Sequence, residues 1–308
     1  MKRPVIIDCD PGIDDAIALI IAFKSTELEI VGITTVAGNQ TLDKTTRNAL
    51  ALVEAFDQTI PVASGSEYPL FREQVTAGYV HGKSGLKNLI LPEPKRQALP
   101  DAIVFIYEEA KKANGQLEIV AVGPLTNIAQ LLLIYPDVKP LIKRVTIMGG
   151  GHCYGNITPS AEFNFFADPE AAKVVFESGL DLVMVGLDVT VADGLSRADI
   201  ERLFKSHNKE TEIISFILND MVNAEGSGYK ALAYIHDAMA LLSLTYPKML
   251  EGDDYHVDIE TQSQLTYGKS VVDIYGVTHK PKNAWVALKV NSEIFHLAMK
   301  ESLGVYEN

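Results

Sequence analysis

An α/β fold, a mainly parallel open sheet with helices on both faces, is predicted by three features of this 308-residue chain. Short apolar runs alternate with helix-period segments along almost its whole length. The strand-like runs are rich in β-branched residues and are bounded by turn signals. Polar residues able to do chemistry recur just after those runs, at the sheet edge where open α/β folds bind ligands. No internal repeat, low-complexity tract or composition shift marks a boundary, so one domain spanning 1–308 is expected.

The first βαβαβ run sets the pattern. Residues 5–7 are an apolar strand, 13–23 a helix, and 28–36 a second strand ending in Ala37-Gly38-Asn39. Residues 42–56 have helical spacing, and 60–63 read as a short strand. Residues 64–100 break the rhythm with repeated Gly and Pro. That is too long for a plain connection, and a lid over a site is the reading, with His81 in its middle.

Regularity resumes with a helix at 102–113 and a buried strand at 117–122. Gly123-Pro124-Leu125-Thr126-Asn127 then turns into a helix reaching Tyr135, with Pro124 suited to a helix start. A strand at 144–148 leads into Gly149-Gly150-Gly151, glycines that let backbone lie close to a ligand or act as a hinge. They are not a phosphate loop, because no Gly-Lys-Ser/Thr follows. In Ala161 to Asp168, Glu162 and Asn164 alternate with aromatics; a period of two predicts an extended segment with both on one side. A helix at 169–178 and a strand at 182–185 lead to Gly186-Leu187-Asp188. After Leu195 the chain is mostly helical to Glu225, and Gly226-Ser227-Gly228 interrupts it. His236-Asp237 heads an apolar helix at 238–244. Strand-like pieces around 255–259, 270–274 and 284–290 precede a last helix at 292–299.

The most informative stretch is Asp8-Cys9-Asp10-Pro11-Gly12-Ile13-Asp14-Asp15. It crowds four carboxylates into a sharp turn between a buried strand and a helix. Mutual repulsion makes that costly without a cation, and hard divalent ions prefer oxygen ligands. Asp14 and Asp15 alone would suit a helix's first turn, and Asp237 an N-cap or first turn, but that leaves Asp8 and Asp10 unexplained. Oxygen donors of this kind favour Ca2+ over Zn2+, and the carboxylates repel phosphate while suiting a neutral polyol.

The formal charge of −13, with no basic cluster, argues against nucleic acid as a partner. Cys9 and Cys153 are the two cysteines, so no disulfide framework and a reducing compartment are expected. No apolar run is long enough to cross a membrane, and no signal-like apolar region follows Met1-Lys2-Arg3-Pro4; a cytoplasmic protein is expected.

The acidic turn resembles the signature of the nucleoside hydrolase family. Gly38-Asn39, Val122 to Asn127, Met148-Gly149-Gly150, Asn156, Ala161-Glu162-Phe163-Asn164 and His236-Asp237 also match that family's pattern, in order. The resemblance implies a single α/β domain in homodimers or homotetramers, with Ca2+ at the base of the pocket. It implies ligation by Asp10, Asp15, Asp237 and the backbone carbonyl of Thr126, with Asp10 also the general base for the water on the metal. Asp14, Asn39, Asn156, Glu162 and Asn164 would hold the ribose hydroxyls, Met148 and Phe163 would line the sugar and base region, and His236 would assist the departing base. The implied reaction is hydrolysis of a ribonucleoside's N-glycosidic bond. Two alternatives carry different expectations: a phosphatase of the haloacid dehalogenase type, which would release phosphate, and a non-catalytic ribose- or calcium-binding protein, which would release no sugar.

Overall fold

A computed structural model describes residues 2–205, 209–223 and 232–304. The first half contains β1 (Arg3–Cys9), α1 (Ile13–Lys24), β2 (Leu28–Thr35), α2 (Leu42–Ala55), β3 (Val62–Ser64), α3 (Gly78–His81), α4 (Ala102–Ala113), β4 (Leu117–Ala121), α5 (Thr126–Ile134) and β5 (Ile142–Met148). There follow α6 (Phe163–Ala167), α7 (Pro169–Phe176), β6 (Leu182–Val185), α8 (Leu187–Thr190), β7 (Leu195–Ser196), α9 (Arg197–Phe204) and α10 (Lys209–Asn223). The chain ends with β8 (Leu232–Ala233), α11 (His236–Thr245), β9 (Leu250–Tyr255), β10 (Val257–Ile259), β11 (Ser270–Val272), β12 (Ala284–Val290) and α12 (Ser292–Ser302).

Among the described residues the main sheet has eight strands, in the order β3-β2-β1-β4-β5-β6-β12-β9. Neighbours are parallel except β9, which runs against β12. The chain winds outward from β1 to β3, returns to β4 beside β1, and winds outward the other way. Crossovers therefore diverge above the C-terminal ends of β1 and β4 and open a crevice there. Side chains alternate across the sheet: Val5, Ile7 and Cys9 enter a core shared with α1 and α11, while Ile6 enters the core beneath α4 and α5. In α1, Ile17, Leu19 and Ile20 are fully buried, each contributing roughly 1.5–3 kcal/mol before chain entropy. That packing, and the contact of α1 with α11, makes the turn before α1 a rigid platform.

The α/β architecture is the one predicted, and α4, β6 and β12 have the expected limits. Two segments differ. The stretch expected to be extended from Ala161 is a one-turn helix, α6. Glu162 is its N-cap, accepting from the backbone N–H groups of Asn164 and Phe165. A capped turn satisfies backbone donors that a lone strand here would leave open. The strand expected around 255–259 is broken at His256, and β9 runs earlier, as Leu-Glu-Gly-Asp-Asp-Tyr. Its acids are exposed at the sheet edge, where charge discourages pairing with other strands.

Candidate active site

The acidic turn sits over the crevice, between the end of β1 and the start of α1. Asp15, in the first turn of α1, accepts from the backbone N–H of Gly12 (2.9 Å) and of Asp10 (3.2 Å), and from Asn39 Nδ2 (3.0 Å). Asp10 is completely buried; its Oδ2 accepts from the Asn39 N–H at 2.7 Å. A Cβ at residue 38 would lie 2.1 Å from that oxygen, so Gly38 is required by close approach. Asp237 arrives from the start of α11, carried in by the packing of α11 on α1. Carboxylate oxygens of Asp14, Asp15 and Asp237 all lie within 4.8 Å of one another. Asp10 adjoins this trio without belonging to it.

Burial, and next the charge of Asp14, pushes the Asp15 carboxyl up to about 7. Burial with the charge of Asp15 raises Asp10, and burial with Asp14 raises Asp237, both well above the usual carboxylate range. Asp10 Oδ1 and Asp14 Oδ1 are buried with no hydrogen-bond partner among the described residues. An oxygen-only donor set with orphaned carboxylate oxygens fits a hard divalent cation, not zinc.

A cavity of about 220 Å3 opens above the acids, a size for a small molecule. Asp14, Asn39, Asn156, Glu162, Asn164 and Asp237 supply polar lining; Ile13, Val122, Met148 and Phe163 supply apolar wall. Ala77, Tyr79, Val80 and His81 cover it from the long 64–100 segment, so that segment does overlie a site. Met221 and His236 complete the lining. No Lys or Arg lines it among the described residues. Glu162 is held by N–H groups of Gly150 (2.9 Å), Asn164 (2.9 Å) and Phe165 (3.2 Å), and burial raises its pKa to about 7. Asn164 Nδ2 donates to the carbonyls of Val122 (2.8 Å) and Met148 (3.1 Å). Asn156 Oδ1 accepts from the Phe163 N–H at 2.9 Å. His236 Nδ1 lies 2.8 Å from Thr190 Oγ1, and burial lowers its pKa, so the ring is neutral near pH 7.

The predicted residues fall into three places. Asp14, Asn39, Met148, Asn156, Glu162, Phe163, Asn164, His236 and Asp237 line the cavity. Asp10 and Asp15 are buried beside them. Thr126 starts α5, and its hydroxyl donates to Asp168 Oδ2 (2.7 Å), leaving its side chain occupied within the fold. The four-acid reading needs one correction. Asp8 faces α5, where Thr34 Oγ1 (2.5 Å) and Asn127 Nδ2 (2.7 Å) both donate to Oδ1, so it ties β1 to β2 and α5. Asp188, also at a strand end, accepts from the N–H groups of His152 (2.6 Å) and Cys153 (2.8 Å) and organises that loop. Sequence reasoning passed over Ile13, Ala77, Tyr79, Val80, Val122 and Met221. The break in rhythm at 64–100 was the available signal for three of them. Residues 226–228, read as a helix interruption, lie outside the described residues.

A family model described as "inosine-uridine preferring nucleoside hydrolase" matches residues 5–296. A pyrimidine-specific ribonucleoside hydrolase, RihA, of Shewanella sp. (strain MR-7) is 42% identical over 311 residues, covering 99% of this chain and 98% of the relative. A pyrimidine-specific ribonucleoside hydrolase, RihB, of Escherichia coli O157:H7 (strain EC4115 / EHEC) is 38% identical, with coverage of 99% and 98%. Among solved structures, the purine-preferring ribonucleoside hydrolase from Gardnerella vaginalis superposes with a TM-score of 0.91 at 26% identity, covering 98% of this chain and 99% of that one.

Proposed function

The chain belongs to the inosine-uridine preferring nucleoside hydrolase family and is a ribonucleoside hydrolase; from that premise we propose that it hydrolyses pyrimidine ribonucleosides with Ca2+ held beneath the cavity. The observation that carries this reading is the oxygen-only acid group, with two orphaned carboxylate oxygens, at the base of a cavity free of Lys and Arg among the described residues. Asp10, Asp15 and Asp237, with the Thr126 carbonyl, would hold the ion. Bound there, the ion supplies positive charge that orients a water and lowers its pKa.

The chain's own residues do the rest. Asp10 accepts the proton of the attacking water. Asp14, Asn39, Asn156, Glu162 and Asn164 hold the ribose hydroxyls, and Met148 and Phe163 pack against sugar and base. Breaking the glycosidic bond builds positive charge on the ribose, and a wall of carboxylates favours that charged state over the neutral substrate. The base leaves toward His236, whose neutral ring can donate a hydrogen bond to it. The relatives named pyrimidine-specific are 42% and 38% identical, whereas the purine-preferring structure is 26% identical, and this supports pyrimidine preference. Family membership sets aside the phosphatase alternative.

A reducing-sugar assay over purine and pyrimidine ribonucleosides, with and without chelator, tests the proposal. Expected is ribose release from uridine and cytidine ahead of inosine, lost on chelation and restored by Ca2+. Ribose binding with no sugar released from any nucleoside would establish the non-catalytic alternative. Release indifferent to the chelator would remove the ion.

A further inference from the structure

The acidic turn and the segment covering the cavity are joined by a side chain from outside both. Asn48 of α2, fully buried, is the centre of the junction. Its Nδ2 donates to the Pro11 carbonyl (3.0 Å) and to the Ser84 carbonyl (2.8 Å), one partner on each side. Its Oδ1 accepts from the Arg47 guanidinium at 3.4 Å. Two further contacts flank it: Gln40 Nε2 donates to the Gly82 carbonyl (2.8 Å), and His81 Nδ1 accepts the Ile13 N–H (3.2 Å). The junction leaves little slack. Gly85 has φ +91°, and a Cβ there would sit 2.7 Å from Asn48 Nδ2 and 3.3 Å from the Pro11 carbonyl.

We propose that Asn48 is a positioning residue for the hydrolysis: its amide fixes the cap that carries Tyr79, Val80 and His81 against the turn that carries Asp10, Asp14 and Asp15. The inference rests on the function proposed above. The chemistry selects an amide. One nitrogen presents two N–H donors to two carbonyls, the buried one of Pro11 and the half-buried one of Ser84. A carboxylate in its place presents acceptors to acceptors, and an alkyl side chain leaves both carbonyls unmet. Asn48 is absent from the cavity lining, so its influence passes through the geometry of the two loops. Displacements of about 1 Å at a reacting centre cost on the order of a hundredfold in rate.

The test compares wild type with Asn48→Asp and Asn48→Ala, by steady-state kinetics on uridine well below Tm and by amide hydrogen exchange across residues 76–88. Expected is a fall in kcat/KM of about tenfold or more in both variants, with exchange in 76–88 faster by about tenfold while β1 and β4 stay protected. Adding His81→Ala to Asn48→Ala should cost less than His81→Ala alone, because both break the same junction. A residue that only supported the fold would lower Tm and leave kcat/KM of the folded protein alone. Values of kcat/KM within about twofold of wild type, or a fall with unchanged exchange in 76–88, would overturn the proposal. Should neither variant fold, Gly85→Ala presses on the same amide from the other side and is held to the same two criteria. A wild type inactive on every nucleoside would remove the proposed function, and the exchange comparison would still decide whether Asn48 holds the cap.

Discussion

Stripping divalent cations should lower the Tm more at pH 8 than at pH 5. Asp15 is fully buried, and its pKa rises from 3.8 to about 7, through burial first and Asp14 second. Between those values the ion-free folded chain binds a proton that the unfolded chain has released. Its stability therefore falls as pH rises from about 4 to about 7. At about 1.4 kcal/mol per pH unit, ionised Asp15 costs the ion-free fold on the order of 4 kcal/mol by pH 8. Asp10 and Asp237 shift in the same direction. A cation offsets this cost, and saturation at about 1,000 times Kd contributes about 4 kcal/mol. With an unfolding entropy near 0.65 kcal/mol/K for a chain of about 300 residues, that is roughly 6 °C in Tm. At pH 5 protons compete for the same oxygens, so the shift should shrink to roughly 2 °C or less. Differential scanning calorimetry on chelator-dialysed protein, with and without added Ca2+ at both pH values, measures it. An unchanged Tm at pH 8, or a larger shift at pH 5, refutes the reasoning.

Three further outcomes are expected. Asp10→Ala should lower kcat by about a thousandfold or more in a protein that still folds; retained turnover on uridine would strike Asp10 from the mechanism. His236→Ala should lower kcat for uridine by about 10²-fold but spare a riboside with an activated leaving group, and equal losses on both would argue for a merely structural histidine. At the far end of the sheet, burial raises the Glu118 carboxyl, but hydrogen bonds from Arg3 (3.0 Å) and Lys143 (2.9 Å) outweigh it and hold its pKa low. The stability it confers is thus fully present above about pH 4.5 and is lost as pH falls through its lower folded pKa, and Glu118→Ala should cost roughly 2–3 kcal/mol at pH 7, measured by urea unfolding, and progressively less in more acid solution.

Much of this fold was legible because its strands are buried on both faces. Residues such as Val5, Ile6 and Ile7 have to be apolar throughout, and such runs stand out between amphipathic helices. The acidic turn was legible for the opposite reason, since acids crowded at the end of a core strand fit no packing rule. What failed to show were features decided by tertiary partners. Glu162 and Asn164 alternate with aromatics as in a strand, yet five residues cannot distinguish a period of two from one turn of helix. The N–H groups that Glu162 caps decide the matter. Asp8 and Asp10 look equivalent in sequence, but Asp8 still lies within β1, facing α5, whereas Asp10 lies beyond the strand's end and turns into the crevice. Met221 gave no sign, because one methionine on a helix reads as core until the opposing elements are known.

The magnitudes also decide what the acids are for. Asp14 and Asp15 occupy the first turn of α1, and Asp237 that of α11. Helix N-termini favour such charges, by about 0.3–1 kcal/mol each. Asp15 further accepts backbone hydrogen bonds from Gly12 and Asp10, which lower its pKa. Even so, burial dominates and its carboxyl titrates near 7. A helix-capping role alone would have left it below the usual aspartate value, because the dipole and the N–H donors both favour the anion. The fold therefore holds an ionised Asp15 at a net cost of several kcal/mol. Asn39 and the N–H groups that orient it raise the precision of the arrangement without removing that cost. A cluster kept in place against its own electrostatics is built for a positively charged occupant, and the cavity above it makes the same charge complementarity available to a ribose that becomes cationic as its base departs.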